Sequence, residues 1–533
     1  MIKDLNLAGE STVTCEAQVC IVGAGTAGLF LAHLLRLKGL SVVMLEAGDA
    51  VARSGAELSQ SCEQRGILYR GAESGRSFGL GGTSVLWGGQ MISMVESDFG
   101  ARQEVGFEGW PIGYSEVSRY FPVVRQHLGL GSGTFSLARE PDSQALDEFP
   151  DLRQFGDDFV LRLSEWLPFK RRNFANAFAP AIKDDPDLVI WLHAAVTGMT
   201  QSQPGGDLPI EAIAAQSPDG NSLLVRASVV VICAGALEST RLLLAFDEST
   251  LGSITRGGAP LGRYFSDHLS VTCGRFVCRD MRRFNLAVAP IFRNGVMRTP
   301  RLELTATAQR QMGLTSAFAH MTFVTRGDSG FDIVRNILRR RQGEQQSLNF
   351  TPGMLSRLVR DLSAMVYWRG VHRRLWIPRH ADLLLQVDIE QAPNPESRLY
   401  LSSECDALNR KRLVIDWRIN PSDVRTIRKV TETVVAGWRQ SPLNQIADLQ
   451  ATLPEKFDSF ATLYDVYHPT GSIRMGSSPT NSVVDKDLRL WGTRNCYVTS
   501  TAVFPSSGSA NPGITHLALT ARLAEQIARQ CFG

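Results

Sequence analysis

Residues 17–46 read AQVCIVGAGTAGLFLAHLLRLKGLSVVMLE, and no other stretch limits the possible folds as much. Val19–Val22 is a short apolar run that stops at glycine. Gly23, Gly25 and Gly28 follow with the G-x-G-x-x-G spacing. Leu29 to Lys38 carries helical periodicity and halts at Gly39, a plausible C-cap. Ser41–Leu45 is a second apolar run, and Glu46 ends it. The order strand, turn, helix, strand is a β-α-β unit. The three glycines act differently. The first makes the tight turn, the second admits a pyrophosphate close to the backbone, and the third lets helix pack on strand. The helix N-terminus offers free N–H groups and a positive dipole end to the phosphates. An acid where Glu46 stands accepts hydrogen bonds from a ribose hydroxyl. The unit predicts a bound dinucleotide and leaves open which one.

A second strand-to-glycine element lies at Val229–Gly235, followed by a helical run, Leu237–Phe246, and reads as a further parallel strand of the same sheet. No second G-x-G-x-x-G follows a strand, since Gly129, Gly131 and Gly133 are spaced differently; this disfavours a pair of Rossmann units holding two dinucleotides. At 533 residues the chain is too long for one core. Its net charge of +3 gives no general pull toward nucleic acid. No apolar run is long enough for a transmembrane helix, and the first residues, MIKDLNLAGESTVTCEAQ, show no apolar export signal. The nine cysteines include no C-x-x-C, which removes a zinc ribbon and a thioredoxin-like pair; no metal site is expected. Scattered thiols, with no disulfide expected between Cys273 and Cys278, fit a cytoplasmic protein.

Residues 271–454 read differently, with alternating strand-like pieces such as Leu383–Ile389 and Leu399–Leu401. Residues 331–380 hold ten arginines and only Asp332, Glu344 and Asp361 as acids. Leu355, Leu358, Leu362 and Met365 fall at helical spacing, with Arg357, Arg360 and Arg369 around them. Such a helix either docks on a membrane surface or an acidic partner, or packs on its own protein with a solvated basic face; the second reading is the simpler one.

The chain as a whole resembles the glucose–methanol–choline (GMC) oxidoreductases. The likeness rests on G23-A-G-T-A-G28 with E46-A-G48, and on G79-L-G-G-T-S-V-L-W-G-G89. It continues through G109-W-P-I-G-Y114, V231-I-C-A-G235 and G262-R-Y-F-S-D-H268, and closes with Y467-H-P-T-G-S-I-R-M-G476 and N511-P-G-I-T515. Within the family it is similar to the bacterial branch related to pyranose oxidases and to sugar and polyol dehydrogenases. The resemblance implies FAD rather than NAD. It also implies an α/β fold: a Rossmann-like FAD-binding domain with a discontinuous α+β substrate domain on a mostly antiparallel sheet. Mapped onto this chain, FAD-binding segments at 1–135, 185–270 and 455–533 alternate with a cap segment at 136–184 and a substrate domain at 271–454 carrying the insertion 331–380.

The resemblance names the site residues as well. It places Gly23, Gly25, Gly28, Glu46, Gly82, Thr83, Ser84, Trp87, Gly88, Val196, Gly235, Pro512 and Thr515 at the cofactor. A glycine-rich turn such as Gly79–Gly89 exposes N–H groups that cradle anions. Some relatives bond the flavin through a histidine in this loop; here Leu86 takes that position, so non-covalent FAD is expected. The catalytic pair implied is His468 and Asn511. Pro469 holds His468 in extended geometry and Gly471 turns the chain after it. A histidine suits removal of a hydroxyl proton near neutral pH. Asn511 and Pro512 also read as N-cap and first position of the last helix, Gly513–Arg529. His516 and His268 read as packing or structural residues, while Trp87 and Trp191 are candidates to stack on a sugar or to sit in the core.

The function expected is FAD-dependent oxidation of an alcohol on a sugar, glycoside or polyol, by deprotonation and hydride transfer to the flavin. The alternatives are a lyase on the same fold, of the hydroxynitrile-lyase kind, and a non-catalytic flavoprotein. Oxygen, a quinone or a cytochrome are all compatible as electron acceptor.

Overall fold

A computed structural model describes residues 1–54, 62–131, 147–201, 207–325, 327, 329–342, 352–453 and 463–532, with 54, 342 and 352–357 as backbone only. Two sheets organise the chain, each with its own apolar core. In the first, the strands Ile2–Asp4, Leu188–Leu192, Val42–Leu45, Thr12–Val22 and Ser222–Ile232 lie side by side and parallel. Cys496–Val498 joins Ser222–Ile232 as another parallel partner, and Ile210–Gln216 and Ala195–Gln201 extend the sheet antiparallel. The fingerprint strand begins earlier than its apolar run suggests, at Thr12. Its first half is half-exposed, and ladder bonds to Ser222–Ala227 rather than burial hold it. The helix Thr26–Leu37 follows the glycine turn, and the C-terminal helix Gly513–Phe532 packs against it.

The second sheet runs Ala447–Ala451, His268–Cys278, Asp382–Glu390, Ala317–Val324, Val296–Leu304, Phe159–Trp166 and Gln90–Met91, antiparallel throughout. One face is aliphatic: Leu269, Val271, Leu385, Val387, Ile389, Ala319, Leu302 and Leu161 are all buried, with Pro421–Gln440 covering this side of the sheet. The other face is polar and also buried. His268, Ser270, Asp388, Glu390, Arg301, Glu303, Arg162 and Ser164 alternate with the aliphatic residues along their strands. A sheet normally turns its polar side to water. Here that side meets the first domain, and it roofs the functional site.

The insertion forms two packed helices, Gly330–Gln342 and Pro352–Val371. Asp361 points inward and accepts the Gly330 N–H at 2.8 Å, and Leu358 and Met365 are half-buried. Leu362 is turned outward, however, beside Val359 and Val366, which are 62% and 68% exposed. The outer face is therefore an apolar ridge with Arg360 and Arg369 along its sides, not the solvated basic face the sequence suggests. The side chains of Leu355 and Arg357, and Glu344 entirely, lie outside the described residues. Among the described residues no helix is long and apolar enough to cross a membrane. All nine cysteines, Cys273 and Cys278 included, are free thiols.

Candidate active site

The C-terminal ends of the parallel strands converge, as is usual for ligand sites in such sheets. A Cβ on Gly23 would stand 2.7 Å from the Cys233 carbonyl oxygen, so the turns after the two central strands touch. A Cβ on Gly28 would fall 2.0 Å from the Gly23 carbonyl oxygen, which only glycine avoids. The glycine-rich loop closes on the same turn: Gly81 donates to the Ala24 carbonyl at 2.9 Å, and a Cβ on Gly82 would lie 2.8 Å from Gly25 Cα. Around Gly25 itself the space is open, with nothing nearer than 3.9 Å. Gly25 caps the helix without any side-chain bond, and no acid occupies its first turn. These features fit a pyrophosphate lying between the two glycine turns.

Glu46 is buried, and three loops share its carboxylate. Oε2 accepts the Ala24 N–H, and Oε1 accepts those of Gly48 and Gly79, each at 2.9 Å. A carboxylate has about four acceptor positions. The Ala47 N–H lies against it as well, so backbone donors take up the Glu46 carboxylate and it ties the cradle together. Thr83 faces outward, whereas Ser84 is turned in: it donates to the Gly81 carbonyl at 2.6 Å and accepts the Phe174 N–H at 2.9 Å. Trp87 donates to the Arg172 carbonyl at 2.7 Å and lies against Gly513. Gly88 is exposed beside the Trp166 ring, with no room for a Cβ. Val196 is buried in the strand Ala195–Gln201, Gly235 opens the helix Gly235–Ser249 at φ 72°, and Thr515 is buried with its hydroxyl 3.4 Å from the Met94 N–H. Trp191 sits in the core of the parallel sheet.

His468 stands where two backbone segments meet. Tyr467 before it takes a left-handed φ of 67°, a strained conformation for a tyrosine that turns the chain here. The His468 N–H donates to Asp267 Oδ2 at 2.7 Å, and the Tyr69 hydroxyl donates to the same oxygen at 2.7 Å. Burial, with Asp465 beside it, pushes the Asp267 carboxyl well up. Gly471, at φ 86°, would drive a Cβ to 2.1 Å from the Tyr264 carbonyl oxygen, so the loop is clamped onto the segment that leads to His268.

The His468 ring meets a second imidazole. His268 Nδ1 lies 3.1 Å from His468 Nδ1, with the rings edge to face at 5.1 Å between centroids. His268 Nε2 lies 2.7 Å from the Gly508 carbonyl oxygen. A carbonyl only accepts, so Nε2 carries the hydrogen. Burial holds His268 neutral, pushing its pKa down to about 4, so Nδ1 is bare and accepts. The hydrogen between the rings then belongs to His468 Nδ1, which leaves His468 Nε2 with its lone pair. Burial, then His268 and Arg301, push the pKa of His468 well below the usual histidine range. The sequence points to a structural His268; the structure makes it the partner of His468. His516, in contrast, turns to Thr499, 3.4 Å away, and burial pushes it down to about 4.

Asn511 differs from its reading as an N-cap. The helix begins at Gly513, and Asn511 Oδ1 is buried with no hydrogen-bond partner among the described residues, so it accepts nothing from the helix's first N–H groups. The turn that carries it is pinned to the polar face of the second sheet. Ser509 and Ser316 hydroxyls are 2.8 Å apart, and the Gly508 N–H donates to Glu390 at 2.9 Å. Since Gly508 also accepts from His268, His468 and Asn511 are linked through the His268 ring.

Two family models match the chain: an FAD binding domain over residues 16–65 and a GMC oxidoreductase domain over residues 393–520. The chain is 23% identical to paromamine 6'-oxidase of Streptomyces fradiae, covering 96% of this chain and 91% of that one. It is 22% identical to the fructose dehydrogenase large subunit of Gluconobacter japonicus, over 97% and 98% of the two chains. Among solved structures it superposes on pyridoxine 4-oxidase from Mesorbium loti with a TM-score of 0.57, at 17% identity over 96% and 99% of the chains. On formate oxidase the TM-score is 0.60, at 14% identity over 97% and 99%. With one model on the cofactor cradle, another spanning the histidine loop and the last turn, and relatives matched almost end to end, the chain carries a GMC oxidoreductase domain and takes FAD as its cofactor.

Proposed function

We propose that this protein oxidises an alcohol group of a sugar-like or polyol substrate to a carbonyl, with His468 as base and Asn511 as its partner on the substrate oxygen. FAD, when bound, supplies the hydride acceptor. The observation that carries the reading is the fixed tautomer of His468: His268 holds Nδ1–H and leaves Nε2 free to take a hydroxyl proton. The orphaned amide end of Asn511 supports it. The two ends of an Asn amide exchange by a half-turn, so it can equally present an N–H to the oxygen as negative charge develops there. The relatives' sugar substrates support the substrate class. Leu86, at the position of the flavin-bonding histidine in some family members, supports non-covalent FAD.

His468→Ala tests this. The variant is expected to bind FAD, to release it unmodified on acid precipitation as the parent does, and to slow anaerobic flavin bleaching by alcohols ~10²–10⁴-fold. Bleaching at the parent's rate would remove His468 from the reaction, and flavin that stays with the precipitated protein would refute a dissociable cofactor.

A further inference from the structure

The polar face over the histidine pair carries a buried cation that forms no ion pair among the described residues. Arg301 is 4% exposed, and its Nε and Nη1 have no hydrogen-bond partner among the described residues. The acids on the same face are committed elsewhere. Glu303 pairs with Arg162, Asp388 accepts from Ser270, and Glu390 pairs with Arg102. Antiparallel register places Arg301 opposite Arg162, which repels it, while Asp388 and Glu303 attract it without forming an ion pair with it. Its guanidinium carbon lies 4.0 Å from the centre of the Phe318 ring. That contact holds the guanidinium in place but leaves the in-plane N–H donors unused. An unpaired cation buried this way costs several kcal/mol, and burial pushes its pKa down to about 10. Such a cost is sustained where a ligand supplies the missing charge.

We propose that Arg301 anchors an oxyanion of the substrate, a carboxylate or a phosphate, while His468 takes the proton of a hydroxyl on the same molecule. The proposal rests on alcohol oxidation at His468 and narrows it to a hydroxy acid or phosphorylated polyol. A guanidinium meets a planar or tetrahedral oxyanion through two parallel N–H bonds. The same charge repels an ammonium, so amino sugars are disfavoured.

The test uses the FAD-loaded protein and substrate pairs that differ in one group: gluconate and glucitol, glucose 6-phosphate and glucose, and an amino sugar beside each. Anaerobic flavin reduction is followed for each compound. The anionic member is expected to react ~10–10²-fold more efficiently than its neutral counterpart, and Arg301→Gln is expected to bring that ratio toward one. Which anion wins identifies the group. Neutral or amino sugars that match the anionic compounds, with a ratio untouched by Arg301→Gln, would overturn the proposal and leave alcohol oxidation standing. If no compound bleaches the flavin, alcohol oxidation fails, and a binding measurement decides Arg301 alone. Acetate, malonate and phosphate are titrated against the bound-flavin spectrum. A perturbation lost in Arg301→Gln supports the anion site, and none with any anion refutes it. Arg301→Lys, which keeps the charge without the two-point geometry, serves if Arg301→Gln fails to load FAD.

Discussion

At the scale of single residues, the proposed chemistry rests on where hydrogens are fixed. The Gly508 carbonyl orders His268, and His268 orders His468, so a backbone oxygen determines which His468 nitrogen keeps its lone pair. Because the pKa of His468 lies below 6.5, Nε2 is bare at neutral pH and above. The rate of flavin reduction should therefore be flat from pH 8 to 6.5 and fall only as the pH drops further. His268→Leu removes both the acceptor for Nδ1–H and one influence that depresses His468. It should slow reduction ~10²-fold with FAD retained, and move the acid limb upward, toward 6.5. Stopped-flow profiles of the two proteins check this; a slower rate with an unmoved limb would reduce His268 to packing. His468 is legible in the sequence because its local motif is continuous. His268 and Arg301 are not, since their roles arise from cross-strand neighbours far away in the chain. A faint signal exists: Arg301 and Glu303 alternate with Pro300, Leu302 and Leu304, charges where a strand of this length would otherwise be apolar.

At the scale of elements, the fingerprint unit is the most legible part, because its physics is local. Its glycines are required by close backbone approach, and the two apolar runs bracket a helix of ordinary length. Gly28→Ala tests the tightest approach. With the Gly23 carbonyl 2.0 Å from the new carbon, helix and strand must separate. The expected result is a loss of about 1–3 kcal/mol in denaturant unfolding, together with weakened FAD retention on gel filtration. Normal retention would mean that the turn relaxes freely. Helix faces are less legible. In Pro352–Val371 the periodicity of the leucines alone puts Leu362 inside, whereas the inward side is set by Asp361 and its bond to Gly330. A buried polar contact overrides the apolar pattern. The last helix lies where the sequence puts it, but its cap does not: Asn511 fits the N-cap rule by sequence and leaves its oxygen unused in the fold.

At the scale of the whole molecule, the two-sheet division follows from chain length and the change of pattern past residue 271, and the structure shows both sheets with separate cores. What the sequence does not convey is that the second sheet buries its polar face, since that depends on how the two parts meet. The meeting leaves buried titratable groups of both kinds. Burial pushes His33, His268 and His516 down to about 4 and His320 down to about 3, so the unfolded chain takes protons that the fold refuses, and these groups remove stability as pH falls below 6.5. Burial pushes Asp388 and Asp423 up to about 6 and Asp98 up to about 7, so these carboxyls hold protons in the fold; their contribution is present at low pH and is lost as pH rises through those values. The two sets oppose each other over one window. The melting temperature of the FAD-loaded protein should change by no more than about 3 °C between pH 6.5 and 4.5 by scanning fluorimetry; a steep acid fall would show that the carboxyls are ionised in the fold.

The parallel sheet takes a central strand from Thr12–Val22 and another from Cys496–Val498, which pairs with Ser222–Ile232. On a ribosome, the glycine turns of the cradle emerge before the loop bearing His468 and before Cys496–Val498, the strand that joins the sheet later in the chain. A nascent chain therefore presents the turns that would hold FAD well before the histidine proposed to work beside it.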